Sequence, residues 1–530
     1  MSYNVWMSSI ANQLTASRKP TRSLAALAVV SLSLILGACT SVPFDYPRTA
    51  SSALPPEVAN PGDTYAADWR AANGDKSGFI GLSNGDDALG ARLALMERAT
   101  GTIDAQYFIL KSDLAGALFT GKMLRAADRG VRVRLLVDDI FTPRADKALA
   151  LLSSHPNIEV RLFNPLSRQG IKPLSFLLDF KRANRRMHNK SFTVDNSASI
   201  IGGRNIGNEY FELKQDVKFD DYEVLAVGPV VEEISRGFDA FWNSDLSVPM
   251  EAFDIDIDPR QLAEWREYIA REMAKGSTGT YAQAMNSTLL QDIRSGIRKP
   301  VAAQASLVTD SPMKLQGALG DEELAALAVD IGRRFRAAES EIIIVTPYFI
   351  PGDKGSELLE KIVSTGVRVL IVTNSLASTN HVPVHSRYRK YRARLLAAGV
   401  EFHEIRADVV GDNETWGFNP EQVTLHSKAS VIDRSTIFIG SLNFDPRSLL
   451  INSEMGLFIE SPTVGQAFTD RLLADLKRTT YRVELDEQGS IVWRYDFEET
   501  HEVETSEPQA SWGRRFMTNV YRLLPIEGQL

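Results

Sequence analysis

The sequence predicts an α/β protein made of two similar lobes, and three observations lead to that prediction. Short strands rich in β-branched residues alternate with helical stretches, which is typical of a sheet with helices on its faces. The segment GVRVRLLVD at 130–138 recurs as GVRVLIVTN at 366–374. A His-x-Lys pattern then follows in both halves, at His188 and at His426. Because the repeated segments keep their order and nearly their separation, we interpret them as an internal duplication.

The predicted elements follow the same order in both copies. In the first copy the pattern predicts helices at 88–99 and 114–129 and strands at 101–110, 130–138 and 157–165. In the second copy it predicts helices at 322–338 and 356–365 and strands at 340–350, 366–374 and 399–406. The chain then divides into a first lobe at 63–250, a connection at 251–310, a second lobe at 311–485 and a C-terminal extension at 486–530. Both His-x-Lys segments are predicted to lie on strands, where side chains two positions apart share a face.

The composition allows large hydrophobic cores and argues against one class of partner. The chain has 530 residues, of which 44% are hydrophobic and 24% charged. Its formal net charge of -8 counts against nucleic acid as a partner, because nucleic-acid-binding proteins usually carry a basic surface. The sequence gives no indication of a protein partner.

The N-terminus reads as an export signal that ends at the chain's one cysteine. Basic residues precede a short uncharged apolar run at 23–36, and Leu36-Gly37-Ala38-Cys39 follows. The run is shorter than the roughly 20 apolar residues that a membrane-spanning helix needs. The ending resembles a bacterial lipobox, which makes Cys39 the expected lipidation site and 1–39 the signal segment. An uncleaved anchor, or a start at Met7, are the alternatives. Residues 40–62, rich in proline, are expected to form a tether.

The repeated motif contains what phosphodiester transfer needs when no metal takes part. Each copy continues from His-x-Lys to an Asp and then to an Asn in a Gly-rich turn, at the same spacing. The two sets are His188, Lys190, Asp195 and Asn205, and His426, Lys428, Asp433 and Asn443. A histidine can act as nucleophile or as acid near neutral pH. Lysine and asparagine donate hydrogen bonds to phosphoryl oxygens. No Cys pair, His-Glu-x-x-His pattern or cluster of carboxylates predicts a metal site, and the chemistry requires no cofactor.

The motifs carry a family resemblance. They include RRMHNK at 185–190, GGRNIGNEYF at 202–211, TPYFIPG at 346–352, LHSKASVID at 425–433 and GSLNFDPRS at 440–448. On these segments the chain resembles the phospholipase D superfamily, and within it the cardiolipin synthase C-like branch of bacterial cardiolipin synthases. The resemblance extends from about residue 60 to the end. The lipobox-like start departs from that branch.

The resemblance implies two α/β/α sandwich lobes related by a pseudo-twofold axis, with both motifs in one shared active site. It implies His188 as the nucleophile that becomes a phosphohistidine and His426 as the acid and base, although the roles could be exchanged. Lys190, Lys428, Asn205 and Asn443 would then bind phosphoryl oxygens, while Asp195 and Asp433 brace the motifs.

Further residues are expected to support the site. A carboxylate should orient each histidine, and Asp221 and Glu454 are the candidates because both open a strand in matching places; solvated strand-end acids are the alternative. Two basic clusters adjoin the motifs and could attract anionic lipid. They supply Arg186 from the first cluster and His385 and Arg387 from the second as candidate substrate-binding residues.

The C-terminal stretch SWGRRFMTNVYRLLPIE places aromatic and aliphatic residues near helical spacing beside arginines. It predicts either a helix that lies in a membrane interface or one that docks on its own lobe.

These features favour a membrane-associated phosphatidyltransferase of the bacterial cell envelope. It would form cardiolipin from phosphatidylglycerol and a second phospholipid, either phosphatidylglycerol or phosphatidylethanolamine. A phospholipase D hydrolase uses the same residues with water as acceptor. A nucleic-acid phosphodiesterase and a lipoprotein that only binds lipid are further alternatives.

Overall fold

The structure is a computed structural model that describes residues 42–60, 64–141, 145–168, 176, 178–213, 218–275, 279–317, 326–408 and 423–530. Cys39 and the signal segment therefore lie outside the described residues. Pro43–Pro165 and Lys181–Leu530 form one compact unit, which contains both copies of the motif.

The strands of the first copy occur in the predicted order. They are β1 Ser77–Leu82, β2 Thr102–Tyr107, β3 Arg132–Asp138, β4 Ile158–Phe163, β5 Ser191–Val194, β6 Ala198–Gly202, β7 Lys218–Asp220, β8 Glu223–Val227 and β9 Ser247–Pro249. The later strands are β10 Val301–Thr309, β11 Glu341–Val345, β12 Arg368–Asn374, β13 Glu401–Ile405, β14 Val423–Leu425, β15 Ala429–Ile432, β16 Thr436–Gly440, β17 Met455–Glu460, β18 Thr480–Leu485, β19 Ile491–Phe497 and β20 Thr500–Glu504.

Helices lie on the faces of the sheet and also form much of the connection. They are α1 Pro56–Ala59, α2 Tyr65–Asn73, α3 Gly85–Arg98, α4 Leu114–Asp128, α5 Asp146–Ser153, α6 Phe180–Ala183, α7 Val230–Trp242, α8 Arg260–Met273, α9 Thr280–Met285, α10 Thr288–Arg294, α11 Ala326–Arg336, α12 Gly352–Ser364, α13 Val382–Ala397, α14 Pro462–Thr479 and α15 Trp512–Arg522. Local sequence sets several helix starts. Asp113, for example, accepts a hydrogen bond from the Gly116 amide and so caps α4.

The sheet shows the duplication directly. Each copy contains three parallel strands, β2–β3–β4 in the first copy and β11–β12–β13 in the second. Next to the first of these strands lies an antiparallel run, β5–β6–β8 in the first copy and β15–β16–β17 in the second. The predicted two-lobe α/β fold with internal duplication is confirmed. The strands join into one 18-stranded sheet within the described chain.

Strand β10 joins the two halves of the sheet. Its first residues pair with β1 and its later residues pair with β17, both antiparallel. The sequence analysis places this whole strand in the connection, but its pairing with β17 mirrors that of β1 with β8. A buried apolar cluster continues across the same junction, with Phe79 and Val224 from one side and Ile343 and Leu457 from the other. The two copies therefore share one core, which fixes how their motifs face each other.

The expected position of the His-x-Lys segments on strands is wrong by a few residues. His188 to Lys190 precede β5, and His426 to Lys428 lie between β14 and β15. The backbone here pairs with the opposite copy. The amide of His188 donates to the Ser453 carbonyl at 3.0 Å, and that of His426 donates to the Asp220 carbonyl at 2.7 Å.

Candidate active site

The two histidines are each held by a carboxylate from the other copy. Nδ1 of His188 lies 3.0 and 2.9 Å from the two carboxylate oxygens of Glu454. Nδ1 of His426 lies 2.5 Å from Oδ2 of Asp221. In each case the carboxylate follows the residue whose carbonyl accepts the histidine amide. One backbone bond and one side-chain bond therefore orient each imidazole, and its Nε2 remains available for chemistry.

Both motif lysines are buried in the same site. Nζ of Lys190 donates to the His188 carbonyl at 2.6 Å, and Nζ of Lys428 donates to the His426 carbonyl. Burial lowers the pKa of Lys190 to about 7 and that of Lys428 to about 8, although nearby carboxylates oppose the shift. Two partly desolvated ammonium groups that lack a salt-bridge partner within the described chain suit an anionic ligand.

Burial also governs the histidines. It lowers the pKa of His426 to about 4, and the Lys428 charge contributes to the shift. Burial lowers the pKa of His188 well below its usual value, and Lys190 and Lys428 add to it. Both imidazoles are consequently neutral near pH 7, the form in which a histidine acts as nucleophile or base.

The motif asparagines occupy different environments. The side chain of Asn205 accepts a hydrogen bond from the Ile109 amide at 3.1 Å and donates to the Tyr210 hydroxyl at 3.0 Å. Oδ1 of Asn443 is buried and has no hydrogen-bond partner among the described residues. Asn443 thus keeps an acceptor atom without a partner in the described chain, while Asn205 positions Tyr210, whose ring packs against His426 at 5.4 Å.

The motif aspartates brace the hairpins and do not point at the histidines. Asp195 accepts from the amides of Gly101 and Thr102, both at 2.8 Å. Asp433 accepts from the amides of Ser340 and Glu341, at 2.7 and 3.0 Å. Each aspartate has positive φ, 51° in both copies, as does the residue after it. This is the conformation of a type I′ hairpin turn, which Asp and Asn tolerate.

The three candidate substrate-binding residues contact the protein itself. The guanidinium of Arg186 is buried and bonded to Asp138, with its Nη2 2.8 Å from the carboxylate, and to the Asn164 carbonyl at 2.9 Å. His385 lies 3.3 Å from Glu507, and Arg387 donates to the Tyr521 carbonyl at 3.2 Å. All three side chains are therefore paired with groups of the protein itself, and their role in substrate binding stays a prediction. A basic run in sequence cannot show whether its partners are substrate or chain.

Aromatic residues that the sequence analysis did not single out pack on both histidines. The ring of Phe108 lies 4.8 Å from that of His188, and Phe219 stacks on His426 at 5.0 Å. A signal for Phe108 existed, because it belongs to a Tyr-Phe pair that recurs as Tyr348-Phe349. Phe219 has no counterpart in the repeated motif, so only the fold reveals it.

The motif lysines of both copies act electrostatically on each histidine, so the two sets of side chains form a single site. A phosphodiester between the two imidazoles would meet a nucleophile, an acid and two cationic donors, which is sufficient for group transfer at phosphorus. The chain belongs to the phospholipase D superfamily, a class of phosphodiester-cleaving and phosphatidyl-transferring enzymes. Residues 93–242 and 331–476 match the family described as cardiolipin synthase, PLD-like domain, and the chain is a member of that family.

Individual relatives agree with this placement. The chain is 37% identical to cardiolipin synthase C of Escherichia coli strain K12 over 488 residues, which cover 91% of this chain and 99% of that one. It is 30% identical to an uncharacterised protein of Helicobacter pylori strain ATCC 700392 / 26695, over 83% of this chain and 86% of the relative. Phosphatidylserine synthase of Haemophilus influenzae Rd KW20 shares the fold with a TM-score of 0.54 at 12% identity, covering 88% of this chain and 100% of that structure.

Proposed function

We propose that this protein forms cardiolipin by transferring a phosphatidyl group to the free hydroxyl of phosphatidylglycerol. The donor is a second phosphatidylglycerol or phosphatidylethanolamine. One observation carries the proposal: each motif histidine is oriented by a carboxylate of the other copy, so that both imidazoles and both lysines face one phosphate site. Similarity to cardiolipin synthase C along nearly its whole length supports the choice of lipid acceptor.

The proposed reaction has two balanced steps. Nε2 of His188 attacks phosphorus, the bond from phosphorus to the leaving headgroup oxygen breaks, and His426 gives that oxygen its proton. His426 then takes the proton of the phosphatidylglycerol hydroxyl, whose oxygen attacks phosphorus while the phosphorus–nitrogen bond to His188 breaks. Lys190, Lys428 and Asn443 hold the non-bridging oxygens.

The surroundings of the two histidines support these roles. The acid must be protonated when the headgroup leaves, so His426 has to take up a proton before that step. Ionised Asp221, 2.5 Å from its ring, opposes the effect of burial on the His426 pKa and so favours the protonated form. The nucleophile must be neutral, and burial beside two lysines keeps His188 so.

We further propose that the protein resides in the bacterial cell envelope, anchored through lipidated Cys39. Among the described residues, no helix combines the length and the apolar character needed to cross a bilayer. Labelling cells with a radioactive fatty acid tests the anchor. We expect label in the wild type and none in Cys39→Ala, and an unlabelled mature wild type would contradict it.

Expression in bacterial cells that lack cardiolipin tests the activity. Mass spectrometry of their lipids should show cardiolipin with the wild type and none with His188→Ala or His426→Ala at equal protein level in the membrane. A rise of phosphatidic acid without cardiolipin would instead identify a hydrolase that uses water as acceptor. No lipid change from an expressed, membrane-located wild type would contradict both activities.

A further inference from the structure

The C-terminal helix α15 packs on the protein through its polar face. Nη1 of Arg514 donates to the carbonyls of Leu376 and Thr379, at 2.9 and 2.8 Å. Thr518, one turn further, is 1% exposed. The Tyr521 carbonyl accepts from Arg387. A surface helix ordinarily turns its apolar stripe toward the core, so this helix is docked the other way round.

The apolar stripe of α15 consequently faces outward. We define it as Trp512, Phe516, Met517, Leu523 and Leu524, all of which are exposed. At 3.6 residues per turn Trp512 and Phe516 fall on the side of α15 opposite Thr518, and Leu523 and Leu524 follow directly after the helix. Leu523 at 85% and Trp512 at 79% have the largest exposed fractions among the exposed large hydrophobic residues of the described chain. The rings of Trp512 and Phe516 stack on each other at 5.4 Å instead of on the protein.

The charges beside the stripe contrast with the rest of the chain. The whole protein carries a formal net charge of -8, yet residues 511–524 include three arginines and no carboxylate. Arg515 and Arg522 are exposed next to the stripe. Aromatic and aliphatic side chains beside arginines, with no acid among them, match the headgroup region of a bilayer that contains anionic lipid.

The helix also adjoins the active site through a short chain of contacts. The residues that Arg514 holds follow directly after β12, whose last residue is Asn374. The amide group of Asn374 donates to the Leu425 carbonyl and accepts from the Leu425 amide, both at 2.9 Å. Leu425 precedes His426 in sequence. A surface bound by α15 therefore lies close to the residues that shape the second half of the site.

We propose that the apolar stripe of α15 inserts into the surface of a phospholipid bilayer containing anionic lipid and holds the active site there. The choice of lipid rests on the proposed function, because phosphatidylglycerol is itself anionic. The attachment is additional to any anchor at Cys39, and it acts at the catalytic lobe instead of at the end of a tether.

Quenching of tryptophan fluorescence by brominated lipid tests insertion at this helix. Vesicles of brominated phosphatidylethanolamine and phosphatidylglycerol are mixed with the full chain, with Trp512→Phe, or with Trp265→Phe as the matched control. We expect bromine quenching in the wild type and in Trp265→Phe, and a clear loss of that quenching in Trp512→Phe. An unchanged quenching in Trp512→Phe would overturn the proposal, whatever the N-terminal segment does.

A variant of the stripe tests its role in catalysis. Trp512→Ser/Phe516→Ser/Leu523→Ser should lower turnover of vesicle substrate about tenfold or more, since interfacial binding scales with buried apolar area. Turnover of short-chain phosphatidylglycerol below its micelle concentration should persist, which shows that the site remains folded. Val329→Ser/Val503→Ser, which alters exposed apolar residues elsewhere, should behave as the wild type.

Two further outcomes separate the alternatives. A wild type that sediments as a dimer, with the serine variant monomeric, would assign the stripe to a second copy of the chain and overturn the bilayer proposal. A wild type whose Trp512 is quenched but which transfers no phosphatidyl group would support insertion and contradict the proposed function.

Discussion

The two halves of the active site carry the same histidine and lysine but different carboxylates. They also differ in the residue of the Gly-rich turn that lies against each carboxylate. Glu454 contacts His188 and also accepts from the Ser441 hydroxyl at 2.5 Å. Asp221 contacts His426, and Gly203 occupies the position that matches Ser441. A Cβ at 203 would lie 2.1 Å from Oδ1 of Asp221. The shorter carboxylate therefore fits only because the turn beneath it has no side chain.

The two carboxylates also differ in charge state. Burial raises the pKa of Glu454 to about 7, and the charge of Lys190 offsets only part of the shift. Burial would likewise raise the pKa of Asp221, but its interactions with His426 and Lys428 outweigh that effect and hold the pKa below its usual value. At neutral pH the carboxylate of Asp221 is therefore ionised, whereas Glu454 carries a proton in part of the molecules. The duplicated fold places the same histidine and lysine in both halves, and the contacts of individual residues give the two carboxylates different charge states.

The largest expected effect separates the histidines by covalent trapping. With a phosphatidyl substrate that has a phenolate leaving group, His426→Ala should form a covalent adduct because the leaving group needs no acid. His188→Ala should form none. Both variants should lose about 10⁴-fold or more in turnover of natural lipid. Mass spectrometry of peptides under alkaline conditions locates the adduct, and an adduct on His426 in His188→Ala would exchange the assigned roles.

The carboxylates should differ in the cost of neutralisation. Asp221→Asn is expected to lower kcat by about 10²–10⁴-fold, because it removes a charge that stabilises the imidazolium of His426. Glu454→Gln should cost less, since a carboxyl with a pKa of about 7 already spends part of its time neutral. Steady-state kinetics at pH 7 measures both, with thermal unfolding as the check on folding. Equal losses, or a larger loss in Glu454→Gln, would remove the difference between the two halves.

The residues beneath the carboxylates should show a smaller contrast. Gly203→Ala forces Asp221 away from His426 and should lower kcat by about 100-fold, in line with the loss of one charge-assisted hydrogen bond plus misorientation. Ser441→Ala removes one hydrogen bond to Glu454 and should cost about tenfold. A Gly203→Ala enzyme as active as Ser441→Ala would show that the turn has room to move.

The smallest expected effect is the pH dependence of substrate binding. The pKa of Lys190 is about 7 and that of Lys428 about 8, so raising the pH from 6 to 9 removes positive charge from the free site. KM for the anionic substrate should therefore rise several-fold over this range, while kcat changes less. Lys428→Arg keeps its charge and should flatten the rise above pH 8. A KM that falls with pH would contradict the assignment of both lysines to phosphate binding.

The sequence predicted the order of elements well because hydrophobic periodicity is local and the repeat doubled the signal. It placed the strand from 366 to 374 almost as β12 Arg368–Asn374 occurs. It could not show that Asp221 and Glu454 exchange histidines between the copies, since those contacts join residues 205 and 266 positions apart. It also could not show that Arg186 is neutralised by Asp138, or that α15 turns its apolar stripe outward, because both depend on which surfaces meet.

The amino-acid sequence by itself determined the fold class, the duplication and the two His-x-Lys sets, because each is written in short-range patterns of polarity and residue type. The tertiary structure decided that the two sets form one site and gave each half its own electrostatic character. The physical reason is that the sets meet only when β10 joins the two halves of the sheet over a common core. Burial and the contacts at that junction then shift the pKa values of both histidines and of the carboxylates that orient them.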